Sequence, residues 1–130
     1  MPSIFSKIIK GDIPCHHIAE TEHSLAFLDI MPLVNGHVLV VPKKEVDELF
    51  DLDEATLNDL MRLSRKVSFA IKKSVPCKRI GIAVIGLEVP HAHIHLVPLN
   101  TVNDINFTQP KLQPTQQALE AMARLIRSNL

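Results

Sequence analysis

The sequence predicts an α+β domain: an antiparallel meander sheet of about five strands, with one long central helix, a short N-terminal helix and a C-terminal helix. Three observations predict it. Short β-branched or alternating runs are separated by Pro, Gly and Asn turn signals. One stretch between Asp53 and Pro76 carries apolar residues at helical spacing. The chain has 130 residues, 46% of them hydrophobic, which suits one packed core without disulfide staples.

Residues 3–10 read as the short helix. Ile4, Phe5, Ile8 and Ile9 fall on one side, Ser3 is a good N-cap, and Gly11 ends it. Asp12-Ile13-Pro14 is a turn. Residues 16–20 and 24–29 read as strands of a hairpin, joined over Thr21-Glu22-His23. Asn35-Gly36 marks the next turn. His37-Val38-Leu39-Val40-Val41 is almost wholly apolar, as a central strand covered on both faces should be, and Pro42 ends it.

Asp53 is a suitable N-cap for the longest helix, residues 54–74, which Pro76 closes. Leu57, Leu60, Met61, Ser64, Val67 and Ile71 recur at helical spacing, and Met61 and Phe69 are read as core. Glu54 near the start and Lys72 and Lys73 near the end suit the helix dipole. Residues 78–86 are a further strand candidate. Residues 100–114 are polar and Asn-rich, an ordered loop or extended arm. The last helix starts at Pro114 or Thr115 and puts Leu119, Met122, Ala123, Ile126 and Leu130 on one side. Without internal repeats, the chain reads as a single domain with its core in residues 4–98 and a C-terminal extension over residues 99–130.

Composition narrows the function. Lys and Arg number 14, as do Asp and Glu, and the basic residues are scattered, so neither a nucleic-acid polymer nor a membrane surface is an expected partner. There is no Trp or Tyr to build a base-stacking platform. Cys15 and Cys77 form no CxxC pair, and the N-terminal stretch lacks a long apolar run. An intracellular, cytoplasmic protein with reduced thiols is expected.

The chemistry gathers at Val89-Pro90-His91-Ala92-His93-Ile94-His95-Leu96-Val97-Pro98. Alternation on a strand turns His91, His93 and His95 to one face and Ala92, Ile94 and Leu96 to a core. Three imidazoles on one face would each need a partner if merely buried. Same-face neighbours on a strand stand about 7 Å apart and the outer pair about 13 Å apart. Zinc needs nitrogens at about 2.0–2.1 Å, so one straight strand does not easily supply all three ligands. A third ligand would have to come from elsewhere, and His37 is the best candidate. Phosphate chemistry fits better. A neutral imidazole with a pKa near ~6.5 is a competent nucleophile at cellular pH. Its attack on phosphorus splits a hard displacement into two easier ones. His93, flanked on both sides, is the expected nucleophile. His95 would hold phosphate oxygens or the leaving atom, and His91 and His37 would orient the others. The ring nitrogen of His93 that faces away from phosphate must be held as N–H.

These residues resemble the motif of the histidine triad (HIT) superfamily, His-φ-His-φ-His-φ-φ with φ apolar, which His91-Ala92-His93-Ile94-His95-Leu96-Val97 matches throughout. Residues 4–14 are similar to the family's N-terminal segment, Leu25-Ala26-Phe27-Leu28-Asp29-Ile30 to its nucleoside-binding stretch, and residues 36–44 to its central strand. The resemblance, to the Hint-like branch in particular, implies a HIT-like fold, a homodimer, and hydrolysis or transfer at the α-phosphate of a purine nucleotide through a nucleotidyl-histidine intermediate. It implies His93 as nucleophile with His91, His95 and His37 as companions. It implies Asp29 as the carboxylate on the ribose hydroxyls, and Phe5, Ile8, Phe27, Leu28, Ile30 and Leu39 around the base. Ser6 and Glu45 stand where zinc-binding relatives have ligands, so neither a metal nor a cofactor is expected. Many relatives carry an Asn and a Gly-Gln-Ser/Thr segment before the triad. Residues 84–90 lack them and offer Glu88 instead. A phosphoramidase-like hydrolase is therefore the first expectation. A nucleotide sensor with little turnover is the second, and a metalloprotein using His37 and two triad histidines the third.

Overall fold

A computed structural model describes residues 1–130. It contains α1 (Ile4–Lys10), β1 (His17–Glu20), β2 (Ser24–Leu28), β3 (Val38–Pro42), α2 (Glu54–Ser74), β4 (Arg79–Ala83), β5 (Ile94–Leu99) and α3 (Gln116–Ser128), with short 3-10 turns at Leu49–Asp51 and Val102–Ile105. All strand pairs are antiparallel, in the order β1-β2-β3-β5-β4. The first three strands follow one another as a meander. α2 then carries the chain past the sheet, β4 forms its edge, and β5 turns back into the gap beside β3.

Local chemistry sets the ends of each helix. The Ser3 hydroxyl accepts from the Ser6 amide, and Gly11 takes the left-handed conformation that stops α1, with φ of 86°. Asp53 and Thr115 cap α2 and α3 by accepting from the amides of Thr56 and Ala118.

β2 and β3 are buried along their whole length, and strand alternation sorts their side chains onto two faces. Ala26, Leu28, Val38 and Val40 enter the main core with Leu60, Leu63, Val67, Ala70 and Ile71 of α2 and Leu119, Ala123 and Ile126 of α3. The extension after residue 99 is therefore part of that core. Leu25, Phe27, Leu39 and Val41 face the other way and pack with Phe5 of α1.

Several details differ from the sequence reading. Met61 and Phe69 are 43% and 55% exposed, so they are not core. The buried stripe of α2 runs through Leu60, Leu63, Ser64, Val67, Ala70 and Ile71, and both residues lie off it. Phe69 instead lies under the Arg65 guanidinium, 5.6 Å from ring centroid to Cζ. β4 is shorter than residues 78–86 because only Arg79–Ala83 finds partners on β5. β5 begins at Ile94, after the first two triad histidines. The Ala92 amide donates to the Val46 carbonyl and the His91 amide to the Val89 carbonyl, so neither joins the ladder.

Candidate active site

The sheet register builds the floor of a cleft. Leu39 lies opposite Phe27 on one side and opposite His95 on the other, so these three side chains form one cross-strand row on the α1 face. His93, two residues before His95, projects to the same side, with ring centroids 4.9 Å apart. α1 closes one wall, its Phe5 ring meeting His93 edge-on at 5.0 Å. Asp29, just past β2, and His37, just before β3, stand at the same end of that strand pair, joined by an Asp29 amide to His37 carbonyl bond of 3.1 Å. The turn into His37 needs Gly36, whose φ is 92° and where a Cβ would come within 2.8 Å of Val75 Cγ2.

The cleft holds about 530 Å³, within the usual range for a small-molecule site. His93, His95 and His37 line it, as do Asp29, Ile30, Phe27, Leu28, Phe5, Ile8 and Leu39. His91 does not. Its ring is fully buried behind the others, with Nε2 2.7 Å from the Pro42 carbonyl and Nδ1 2.7 Å from the Ser3 hydroxyl. The expected common face is thus shared by His93 and His95 alone, because the backbone turns at residue 91. His91 still touches the site through its carbonyl, 2.7 Å from His93 Nδ1.

These partners fix the tautomers. A carbonyl can only accept, so His93 carries its proton on Nδ1 and has its lone pair on Nε2. The Leu33 amide donates to His37 Nδ1 at 3.0 Å, so neutral His37 is protonated on Nε2 and donates to His95 Nδ1 at 2.9 Å. His95 then carries its proton on Nε2. No buried side-chain nitrogen or oxygen lacks a partner, and the Nε2 atoms of His93 and His95 have none in the protein. Both therefore open onto the cleft, one as a lone pair and the other as a donor.

Burial holds this relay neutral. It pushes the His37 pKa down to about 3 and His95 to about 4, with the neighbouring imidazoles His95 and His93, respectively, adding to the effect. Burial raises the Asp29 carboxyl pKa, opposed by the Met31 amide it accepts from at 2.9 Å. Unfolded histidines titrate near ~6.5, so between that value and the folded pKa values the unfolded chain binds more protons. The relay's stabilisation is complete above about pH 6.5 and is lost as pH falls through about 4 and 3. Thermal unfolding followed from pH 7 to pH 4 should show a fall of a few kcal/mol in stability, since each proton that only the unfolded chain binds costs about 1.4 kcal/mol for every pH unit. A His37→Leu variant should show a shallower fall.

Asp29, His37 and His95 each bring a ligand atom within 4.8 Å of the others, which raises the question of a metal. The hydrogen bonds argue against one. Coordination at His37 Nε2 needs a lone pair there, and the Leu33 amide already claims the lone pair on Nδ1. Moving the proton to Nδ1 would set it against that N–H. The donor set suits a proton-bearing relay, not a metal.

Sequence reasoning missed Phe107 and Lys111, which reach the cleft from the extension. The Phe107 ring meets His95 edge-on at 4.7 Å and His37 at 6.2 Å. It also did not foresee the network behind the site. Glu45 Oε1 accepts from the Ser3 amide and the Ser6 hydroxyl, both at 2.6 Å, which holds its carboxyl pKa down to about 2. Ser3 links that network to His91 and so ties α1 to the triad.

The HIT domain family model matches residues 10–102. An adenosine 5′-monophosphoramidase of Schizosaccharomyces pombe is 34% identical over 132 aligned positions, covering all of this chain and 99% of the relative. An adenosine 5′-monophosphoramidase of Saccharomyces cerevisiae is 38% identical over 96 positions, covering 73% of this chain and 61% of the relative. A crystal structure of a Hit-like protein from Bartonella henselae, described as involved in cell-cycle regulation, superposes with a TM-score of 0.87 at 30% identity and covers 98% of this chain and 96% of that one. Motif, five-stranded sheet and relatives agree, and the chain belongs to the HIT domain family.

Proposed function

We propose that the protein hydrolyses derivatives of purine nucleoside 5′-monophosphates at the α-phosphorus, as a phosphoramidase. One observation carries the reading: a free imidazole lone pair on His93 stands beside an imidazole N–H on His95 over a nucleotide-sized cleft. The two similar adenosine 5′-monophosphoramidases support the reaction class.

In this mechanism His93 Nε2 attacks the α-phosphorus and the bond from phosphorus to the leaving atom breaks. That atom departs with the electron pair, and an amine takes a proton from His95 Nε2. Water then attacks the nucleotidyl-histidine and gives a proton back to His95 Nε2, the N–P bond breaks with its electron pair returning to His93 Nε2, and the nucleoside monophosphate leaves. The His91 carbonyl fixes the nucleophile's tautomer, and His37 fixes that of His95. Phe5, Ile8, Phe27, Ile30 and Leu39 sandwich the base, whereas Leu28 borders the cleft with its side chain turned into the main core, against the expectation from the resemblance. Asp29 accepts from the ribose hydroxyls.

A second reading, nucleotide sensing with little turnover, draws on Glu88, a carboxylate on the cleft where a phosphate needs donors. A homodimer is supported by exposed Ile82 on the edge strand β4 and exposed Met61 and Phe69 on α2. The free thiols of Cys15 and Cys77 suit a cytoplasmic setting, and no helix is long and apolar enough to cross a membrane. Brief mixing with adenosine 5′-phosphoramidate, followed by intact-mass analysis, tests the reading. An added adenylyl group mapped to His93 is expected. Tight binding with neither adduct nor product would favour the sensor.

A further inference from the structure

The floor of the cleft is a row of four rings in edge contact. Phe5 meets His93 at 5.0 Å, His93 meets His95 at 4.9 Å, and His95 meets Phe107 at 4.7 Å. The row has a direction. At the Phe5 end are Phe27 and Leu39, the apolar surface suited to a base. At the far end stands Lys111, its ammonium nitrogen 5.7 Å from the Phe107 ring.

Lys111 is held by neutral groups, and its charge opposes the rise that burial causes in the Asp29 carboxyl pKa without forming an ion pair with it. Its Nζ donates to the Phe107 carbonyl at 2.6 Å and to the Gln109 carbonyl at 3.3 Å, both uncharged. It forms no ion pair with any carboxylate. An ammonium has three N–H donors, so one is left over. Lys111 is also the only Lys or Arg on the cleft, where the carboxylates are Asp29 and Glu88. An anion entering this cleft has one full positive charge to meet.

We infer that Lys111 is a specificity-determining residue that selects nucleoside 5′-phosphates whose leaving group carries its own negative charge, such as a sulfate, phosphate or carboxylate. The inference rests on the proposed reaction at His93. With the base at the Phe5 end and phosphorus on His93 Nε2, in-line displacement sends the leaving group away from His93. The cleft beyond His95 holds Phe107 and Lys111, the one cation there to meet a negative leaving group. When the P–O bond to such a group breaks, the electron pair stays on oxygen, no proton is needed, and negative charge grows where an ammonium can receive it. An amine leaving group needs a proton instead, which His95 supplies and Lys111 need not.

The test compares kcat/KM for adenosine 5′-phosphosulfate and adenosine 5′-phosphoramidate in the wild type and in Lys111→Met, Lys111→Gln and Lys111→Arg. Gln can still donate to the Phe107 carbonyl, so it separates charge from anchoring of the loop. In the Met and Gln variants the loss on the phosphosulfate should exceed that on the phosphoramidate by about tenfold or more, as losing one charge-assisted hydrogen bond implies. Arg should restore most of the difference. Equal losses on the two substrates would overturn the inference and leave the reaction at His93 standing. A fall in AMP affinity that matches the loss on the phosphosulfate would place Lys111 on the monophosphate itself and overturn it too. A wild type that turns over neither substrate would instead remove the parent reading, and this inference with it.

Discussion

His93→Ala should lower kcat on adenosine 5′-phosphoramidate by about 10⁴-fold or more while AMP affinity stays within about tenfold, the pattern of a lost nucleophile. The side chain supplies the one imidazole lone pair that faces the cleft, and its neighbours cannot replace it. His95 presents a proton there, and His91 is sealed behind the site. The apolar surface proposed for the base stays, because Phe5 and Phe27 also pack on each other, with ring centroids 5.8 Å apart. Single-turnover kinetics and AMP titration on the same preparation check both halves. A variant that keeps its rate would remove covalent catalysis at this residue.

Asp29→Asn should weaken AMP binding by about 10- to 100-fold, since hydrogen bonds to a charged group contribute about 1.5–3 kcal/mol each. One Asp29 oxygen accepts from the Met31 amide, and the other lies 3.7 Å from His37 Nε2, outside hydrogen-bond range. That second oxygen is an under-used acceptor on the cleft. Asn would put either an amide donor there or its N–H₂ against the Met31 amide. Titration with AMP and with its 2′,3′-dideoxy analogue separates the causes. If the ribose hydroxyls are the partners, the wild type prefers AMP and the variant loses that preference. An equal loss for both ligands would instead indicate damage to the His37 relay.

Much of this was legible because local chemistry and burial agree. α2 spans Glu54–Ser74 as its cap at Asp53 and its stop at Pro76 require. The alternation Ala92, Ile94, Leu96 does enter the core and leaves His93 and His95 opposite. What alternation could not show is the turn at His91, which depends on a Val46 carbonyl far away in the chain. Phe107 and Lys111 were illegible for a similar reason. Residues 100–114 carry no periodicity, and a loop reaches a cleft through the tertiary fold. Phe27 and Leu39 were read through a resemblance, and the register of β2, β3 and β5 explains why they meet His95 on one face.

The order of strands also bears on how the protein is made. β5 is the last strand in the chain, yet it is the wedge between β3 and β4, and β4 has no other partner. During vectorial synthesis β3 must wait with a bare edge until residues 94–99 emerge. His95 arrives on that same strand, with His93 just before it. A nascent chain therefore gains the His93–His95 pair only as it loses the bare edge of β3.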